Sequence, residues 1–399
     1  MCGLCMGRLR PRAVGLRWAD LCVARQCPRA VGLRWALVTS AALLVWFCVH
    51  HTWYTRSVFW EDDVAAASAP FTYRFSSNNH PFPGIALSEV SVKCLPRGAV
   101  TVRSGGRLGN LIMEFLSLWT AARLHNLTAF VPPQLRDRLH EVFEPLGVPD
   151  TVEFLSQSGC PADAMEEADQ RLFKVDLETV SLAEVVTQAK ELHVPIIFEV
   201  YIILPETIIP LAADVRRHFR YSPKLREYAE NKLRSLRRTV LETSPNVKEV
   251  VFAGVHVRRT DYADHLRLLY NSDRPADERY YGRAALWLNS TVVPSGGELV
   301  LVVASDDPYW VQVVLLPHLR SLGLRHTFLV GDGVLDEPEL DLALLSGCNH
   351  SVLAYGTFGL FSALMTGGRA AVYHLQRGDA VSPAMQFAQH IPGWVAISQ

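Results

Sequence analysis

From Ala99 onward, short apolar runs alternate with stretches whose apolar residues recur every three or four positions, the pattern of strands interleaved with amphipathic helices. Ala99-Val-Thr-Val-Arg103 reads as a strand, and Leu108, Leu111, Ile112, Phe115, Leu118, Trp119 and Ala122 then fall at helical spacing. Thr128 to Val131 resumes as a strand and stops at Pro132-Pro133. Further along, Glu249-Val-Val-Phe-Ala-Gly-Val-His-Val257 is apolar almost throughout, as in a parallel strand covered on both faces. It is followed by a helix over 278–289, a strand over 299–304, a helix over 307–322 and a strand over 326–330. A helix over 337–346, a strand over 351–354, a helix over 357–366 and a strand over 370–373 complete the series. The fold class is therefore α/β, and the last five strands with their helices predict a Rossmann-like unit. Such a unit binds ligands at the carboxyl ends of its strands.

The N-terminal part has another character. Trp35 to Thr55 contains no Asp, Glu, Lys or Arg, and at about 1.5 Å per helical residue such a run matches a bilayer core of roughly 30 Å. Arg8, Arg10, Arg12, Arg17, Arg25, Arg29 and Arg34 precede it against one acid, Asp20, whereas Glu61-Asp62-Asp63 follows, so the N-terminus is expected in the cytosol and the bulk of the chain in the lumen. A cleaved signal peptide is the competing reading, but the basic region is long and the nearest small-residue cleavage pattern, Ala65-Ala66-Ala67, lies well past the apolar run. The organisation expected is a basic tail (1–35), a transmembrane signal-anchor (36–55), a stem rich in Ala, Ser, Pro and Asn (56–93) and two α/β domains (94–245 and 246–399). Pro11 to Ala19 recurs as Pro28 to Ala36, a local duplication too short to build a solenoid.

Composition narrows the partners. With 39 Lys and Arg against 40 Asp and Glu among 399 residues, no global charge excess favours a nucleic acid. The sequons at Asn126, Asn289 and Asn349 all lie on the expected lumenal side. Only Cys94, Cys160 and Cys348 follow the apolar run, which permits one intramolecular disulfide and leaves one thiol over. No paired Cys-x-x-Cys spacing after the run suggests structural zinc.

Two strand ends carry chemistry. The strand ending at Val257 delivers Arg258-Arg259-Thr260-Asp261 to the carboxyl edge, where a guanidinium fork can hold a diphosphate bidentately. Adjacent side chains diverge, so one arginine is expected to face the ligand and the other to pair with an acid such as Asp261; the bland reading is a surface ion pair. His256 reads by default as a hydrogen-bonded core histidine. Tyr355-Gly356-Thr357-Phe358-Gly359 follows a strand and opens a helix, which aims backbone N–H groups and the Thr357 hydroxyl over the sheet. Gly105-Gly106-Arg-Leu-Gly109 does not match Gly-x-Gly-x-x-Gly, and no Gly-x-x-x-x-Gly-Lys-Ser/Thr occurs, so P-loop and standard dinucleotide enzymes lose their main warrant.

At these residues the chain resembles a family. Gly254-Val-His-Val-Arg-Arg-Thr-Asp-Tyr262 is similar to the His-x-Arg-Arg-x-Asp motif shared by α1,2-, α1,6- and protein O-fucosyltransferases. Gly106 to Phe115, Leu301 to Asp306, and Asp341 to Ser351 running into Gly356-Thr-Phe-Gly359 and Leu364-Met-Thr-Gly-Gly368 resemble the galactoside α1,2-fucosyltransferases in particular. The resemblance implies a GT-B-like pair of Rossmann-like domains facing a cleft, with the acceptor on the side of 94–245 and GDP-fucose on that of 246–399. It implies that Arg258 neutralises the donor β-phosphate, that Arg259 is its structural partner, and that His256 and Asp341 contact guanosine. Thr357 and Phe358 would complete the phosphate pocket, and Asn110 would face the fucose or the acceptor. Expected with these are an inverting transfer to a β-galactoside-terminated glycan in the Golgi and, because no Asp-x-Asp occurs, no divalent cation.

The base that takes the acceptor proton is not fixed by any motif. Asp264, three residues after Asp261 on the expected loop, is the candidate, and Glu114 reads as a residue on the polar side of its helix. Thr260 stands where the α1,2 enzymes usually carry Gly, and Leu111 where they carry Gln, departures that bear on acceptor choice. A fucosyltransferase with another acceptor, such as a core N-glycan or a protein hydroxyl, and a lectin-like relative without turnover are the alternatives.

Overall fold

A computed structural model describes residues 84–399 except 176, 178–179, 273–274, 331–336, 378–379 and 399. The expected tail, signal-anchor and most of the expected stem lie outside the described residues. Among those described, no helix is long and apolar enough to cross a membrane.

Two sheets organise the chain. The first is built from β1 (Ile85–Ser88), β2 (Ala99–Val102), β3 (Thr128–Ala129), β4 (Leu172–Val175) and β5 (Ile196–Phe198) in the order β3-β2-β5-β1-β4. β2 runs parallel to both β3 and β5, whereas β1 is antiparallel to β4 and β5. β1 lies within the span expected as stem. Its four residues are all buried, and Ile85 and Leu87 belong to the core, so the ladder on both sides holds a segment that shows no period of its own.

The second sheet is built from β6 (Glu249–Val257), β7 (Gly297–Ser305), β8 (His326–Leu329), β9 (His350–Leu353), β10 (Ala370–Tyr373) and, after a small hairpin of β11 (Gln376–Arg377) and β12 (Ala380–Val381), β13 (Trp394–Ile397). Its order is β13-β10-β9-β6-β7-β8 and every pairing is parallel. The expectation of five strands is corrected to six. β13 carries a half-buried alternation, too short and too close to the chain end to stand out in the sequence.

Helices α1 (Leu108–His125), α2 (Pro223–Thr243), α3 (Tyr262–Tyr270), α4 (Glu278–Val292), α5 (Pro338–Ser346) and α6 (Thr357–Thr366) connect or cover the strands. α3 occupies a stretch expected as loop. The expected continuous helix from Asp307 is divided into Pro308–Trp310, a π turn over Val311–Leu315 and Leu316–Ser321. Pro317 has no N–H to give the carbonyl four residues back, and the turn widens where that bond would have closed.

One hydrophobic core runs from the first sheet into the second. Ile112, Phe115 and Leu116 of α1 belong to the same buried cluster as Leu360, Phe361 and Leu364 of α6. Phe219 joins them, its ring edge-on to Phe115 at 5.8 Å and to Phe361 at 5.9 Å between centroids. Each such phenylalanine contributes roughly 1.5–3 kcal/mol of burial. α1 and α6 touch so closely that a Cβ on Gly109 would stand 2.6 Å from the Phe358 backbone nitrogen and 2.8 Å from Thr357 Oγ1. Glycine at 109 is thus a condition for bringing the two halves together. Cys94 and Cys160 form a disulfide beside the first sheet, which leaves Cys348 as the free thiol among the described residues, buried just after α5. Burial pushes that thiol's pKa up, so it stays protonated.

Candidate active site

In each sheet the strand order reverses at one place, and the loops that leave the strands there form a crevice. In the second sheet the reversal lies between β6 and β9, which β6 leaves at Arg258 and β9 at Ala354. In the first it lies between β2 and β5, whose loops begin at Arg103 and Glu199.

Arg258 is 18% exposed and held by two carboxylates, Asp261 at 2.6 Å and Asp306 at 3.0 Å. Asp261 thus belongs to Arg258, and the acid that pairs with Arg259 is Asp307, at 3.6 Å. Asp261 also receives Arg107 from the first half at 3.0 Å. Two guanidinium groups thus converge on one acid across the crevice, and a bound anion could take its place. Tyr355 supports Arg258 from below, its hydroxyl donating to the Arg258 carbonyl at 3.2 Å while its ring stacks on Tyr262.

Arg259 turns the other way. Its guanidinium lies 3.9 Å from the centre of the Trp310 ring and donates to the Ala276 carbonyl at 3.2 Å. That lodging suits a framework role.

Asp306, at the end of β7, received no role from the sequence yet organises this edge. It accepts from the Arg259 amide at 2.9 Å, the Thr260 amide at 3.2 Å and the Thr260 hydroxyl at 2.6 Å. Burial pushes its pKa up, but the Thr260 hydroxyl, Arg258 and the two amides outweigh that and hold the carboxyl below the ordinary aspartate range. The threonine at position 260 therefore has a partner that glycine would not supply.

His256 is not the hydrogen-bonded core histidine of the default reading. Its ring stacks on Phe358 with centroids 5.0 Å apart, and its buried Nδ1 has no partner. Burial first, and Arg258 second, lower its pKa to about 4, so the imidazole is neutral at any working pH. A Cβ on Gly359 would approach that Nδ1 to 2.8 Å, which accounts for glycine there.

Thr357 opens α6 behind Gly356, whose φ of 91° suits glycine. The Thr357 hydroxyl donates to Asn110 Oδ1 at 2.7 Å, so two residues 247 positions apart meet across the crevice. Asp341 lies half-buried in the first turn of α5.

Two acids sit otherwise than expected. Asp264 is not on a loop but in the first turn of α3, with its side chain 84% exposed and paired with Arg267 on the next turn. An exposed carboxylate already engaged by an arginine is poorly placed to take a proton from an acceptor in the crevice. Glu114 is the reverse case, fully buried. Its Oε1 accepts from the Tyr201 amide at 2.6 Å and its Oε2 from the Gly105 amide at 3.2 Å. Burial raises its pKa to about 8 against the opposing pull of those two bonds. Asn110, Glu114 and Ser117 do share one face of α1, but the helix is buried from Ile112 to Ala121, so at Glu114 that face meets protein and not solvent.

The expected sequons are exposed. Asn126 caps α1 in the left-handed region and Asn289 lies on the outer face of α4. Asn349 uses its Oδ1 to accept from the Phe252 amide at 2.9 Å.

An arginine held at the carboxyl edge of a parallel sheet and facing a second sheet is suited to an anionic ligand. Residues 210–398 match the model of glycosyl transferase family 11. A galactoside 2-alpha-L-fucosyltransferase SEC1 of Bos taurus is 29% identical over 320 residues, which cover 76% of this chain and 75% of the relative. A galactoside alpha-(1,2)-fucosyltransferase 2 of Sus scrofa is 28% identical over 308 residues, 75% of this chain and 80% of that one. Among solved structures, a mutant of Arabidopsis thaliana FUT1 in complex with GDP aligns over 73% of this chain and 74% of its own, with 13% identity and a TM-score of 0.42. Over residues 210–398 the chain is similar to glycosyl transferase family 11, and with these relatives it is a glycosyltransferase.

Proposed function

We propose that this glycosyltransferase moves L-fucose from GDP-β-L-fucose to the 2-hydroxyl of a terminal β-galactose, with inversion and without a divalent cation. The observation that carries the reading is Arg258, desolvated at the carboxyl end of β6, held by Asp261 and Asp306 and supported from below by Tyr355. The activity of the relatives, galactoside α1,2-fucosyl transfer, supports it in kind.

In the reaction the acceptor oxygen bonds to fucose C1 as the bond from C1 to the β-phosphate oxygen breaks. The hydroxyl proton passes to a base and GDP departs with the bonding electrons. Charge grows on that phosphate oxygen, and Arg258 with the amides that open α6 stands ready to meet it, a task a metal ion performs elsewhere. Neutral His256, stacked on Phe358, would lie against the nucleoside, and Asp341 would accept from the guanine N1–H and N2–H pair. Asn110, held by Thr357, would orient the fucose or the acceptor. The two sheets facing one crevice are read as a GT-B-like arrangement, and the apolar run at 36–55 as a signal-anchor that places this site in the Golgi lumen.

The test is an acceptor panel with one labelled donor: phenyl β-galactoside, a core N-glycan and a folded protein acceptor, each with and without EDTA. Label on the galactoside, α1,2-linked by NMR and insensitive to EDTA, is expected. Label confined to another acceptor would move the reading there, and rescue by manganese after EDTA would remove its metal-free part.

A further inference from the structure

The loops that flank the first sheet's reversal, 103–107 after β2 and 199–201 after β5, share no backbone hydrogen bond beyond the one from the Arg103 amide to the Phe198 carbonyl among those described. Two side-chain ties join them. Arg103 pairs with Glu199 at 3.3 Å where the loops begin. Farther along, Glu114, one turn after Asn110 on the same face of α1, reaches both, with Oε1 on the Tyr201 amide and Oε2 on the Gly105 amide. Among the described residues no arginine or lysine pairs with it, so its work is done on backbone.

Tyr201 and the neighbour of Gly105 have unusual backbones. Tyr201 has a φ of 64°, the left-handed region that a tyrosine rarely adopts, and its amide bond to Glu114 is part of what holds it there. Gly106 has a φ of 79°, and a Cβ on it would lie 2.4 Å from Asn110 Nδ2 and 2.7 Å from Tyr201 Cε1. The Tyr201 ring, the glycine turn and the Asn110 amide are therefore packed without slack, and Asn110 in turn meets Thr357.

We propose that Glu114 is a positioning residue for the transfer reaction: by accepting the Gly105 and Tyr201 amides it fixes the two first-sheet loops, and with them Asn110 and the Tyr201 ring, on the acceptor side of the crevice. This rests on the reading of the site as a fucosyl-transfer site, with the donor held by the second sheet. Glu114 does not touch substrate, since its carboxyl group is wholly buried.

The full chain, solubilised in detergent, is compared with Glu114→Gln and Glu114→Asp. An amide nitrogen cannot accept a hydrogen bond, so the Gln variant leaves one of the two N–H groups facing a donor. The shorter acid keeps both acceptors. Expected for Glu114→Gln is a fall in kcat of about 10-fold or more and a raised KM for phenyl β-galactoside, with GDP affinity within two-fold of wild type; Glu114→Asp recovers part of the loss. Kinetics within two-fold of wild type, or a loss shared equally by GDP binding, overturns the positioning role. Hydrogen exchange in the GDP-bound protein reads the tie without any acceptor: peptides holding Gly105 and Tyr201 lose protection in the Gln variant, and unchanged protection overturns the proposal. Should wild type label no galactoside while the exchange result holds, the acceptor reading falls and the tie stands.

Discussion

Arg258 and Arg259 are neighbours of one residue type with opposite employment, and the difference lies in what each side chain meets. Arg258 meets two carboxylates at the crevice; Arg259 meets the Trp310 ring, the Ala276 carbonyl and, at 3.6 Å, Asp307. Arg258→Lys keeps a charge but loses the fork, and turnover is expected to fall by roughly 10²–10³, as for removal of one preorganised charge donor; steady-state kinetics with GDP-fucose checks it. Asp264→Asn should leave turnover within about two-fold, because that carboxylate is solvated and paired with Arg267. His256 supplies the pH dependence. Its folded pKa of about 4 lies below the ordinary 6.5, so its contribution to stability is complete above about 6.5 and is lost as pH falls through about 4. Melting curves of wild type and His256→Phe between pH 7 and 4 should show wild type losing ground to the variant as acid is added. A constant difference would contradict the assignment of a neutral, buried imidazole.

At the scale of elements, the sequence showed more of the second sheet than of the first. β6 and β7 each carry long apolar runs that only a doubly covered parallel strand explains, and α6 was legible to the residue because Gly356 and Gly367 bracket it. β1, β4 and β5 have three or four residues each, and their burial comes from neighbours far along the chain, so no local period announces them. α3 was hidden for another reason, since its start carries the functional Arg-Arg-Thr-Asp stretch, whose polar residues read as loop. The site was legible where a motif fell at a strand end, as for Arg258 and Thr357. It was not legible where a single acid gathers backbone amides from distant segments, as Asp306 and Glu114 do. The contact of α1 with α6 yields a prediction at this scale. Gly109→Ala places a methyl group 2.6 Å from the Phe358 backbone, so the helices must part. A loss of transfer of about 10-fold or more is expected, with the second sheet's GDP binding less affected; equal kinetics would show that the helices have slack.

Across the whole molecule, the two sheets share one core, so donor and acceptor sides are fastened together by Phe115, Phe219 and Phe361. The disulfide between Cys94 and Cys160 spans 66 residues of the first half. Closing a loop of that size restrains the unfolded chain by about 4 kcal/mol in the chain-entropy model. Cys94→Ser with Cys160→Ser should lower stability by roughly 2–4 kcal/mol in denaturant titration, while Cys348→Ala, a buried lone thiol, should change it by less. The proposed role of Arg258 in fucose transfer to a galactoside is tested by incubating the detergent-solubilised full chain and its Arg258→Ala variant, side by side, with GDP-[¹⁴C]fucose and phenyl β-galactoside. Labelled, α1,2-linked product from wild type and a loss of at least about 10²-fold in the variant are expected. Equal labelling by both proteins, or wild type that binds GDP yet labels no galactoside, would contradict that role.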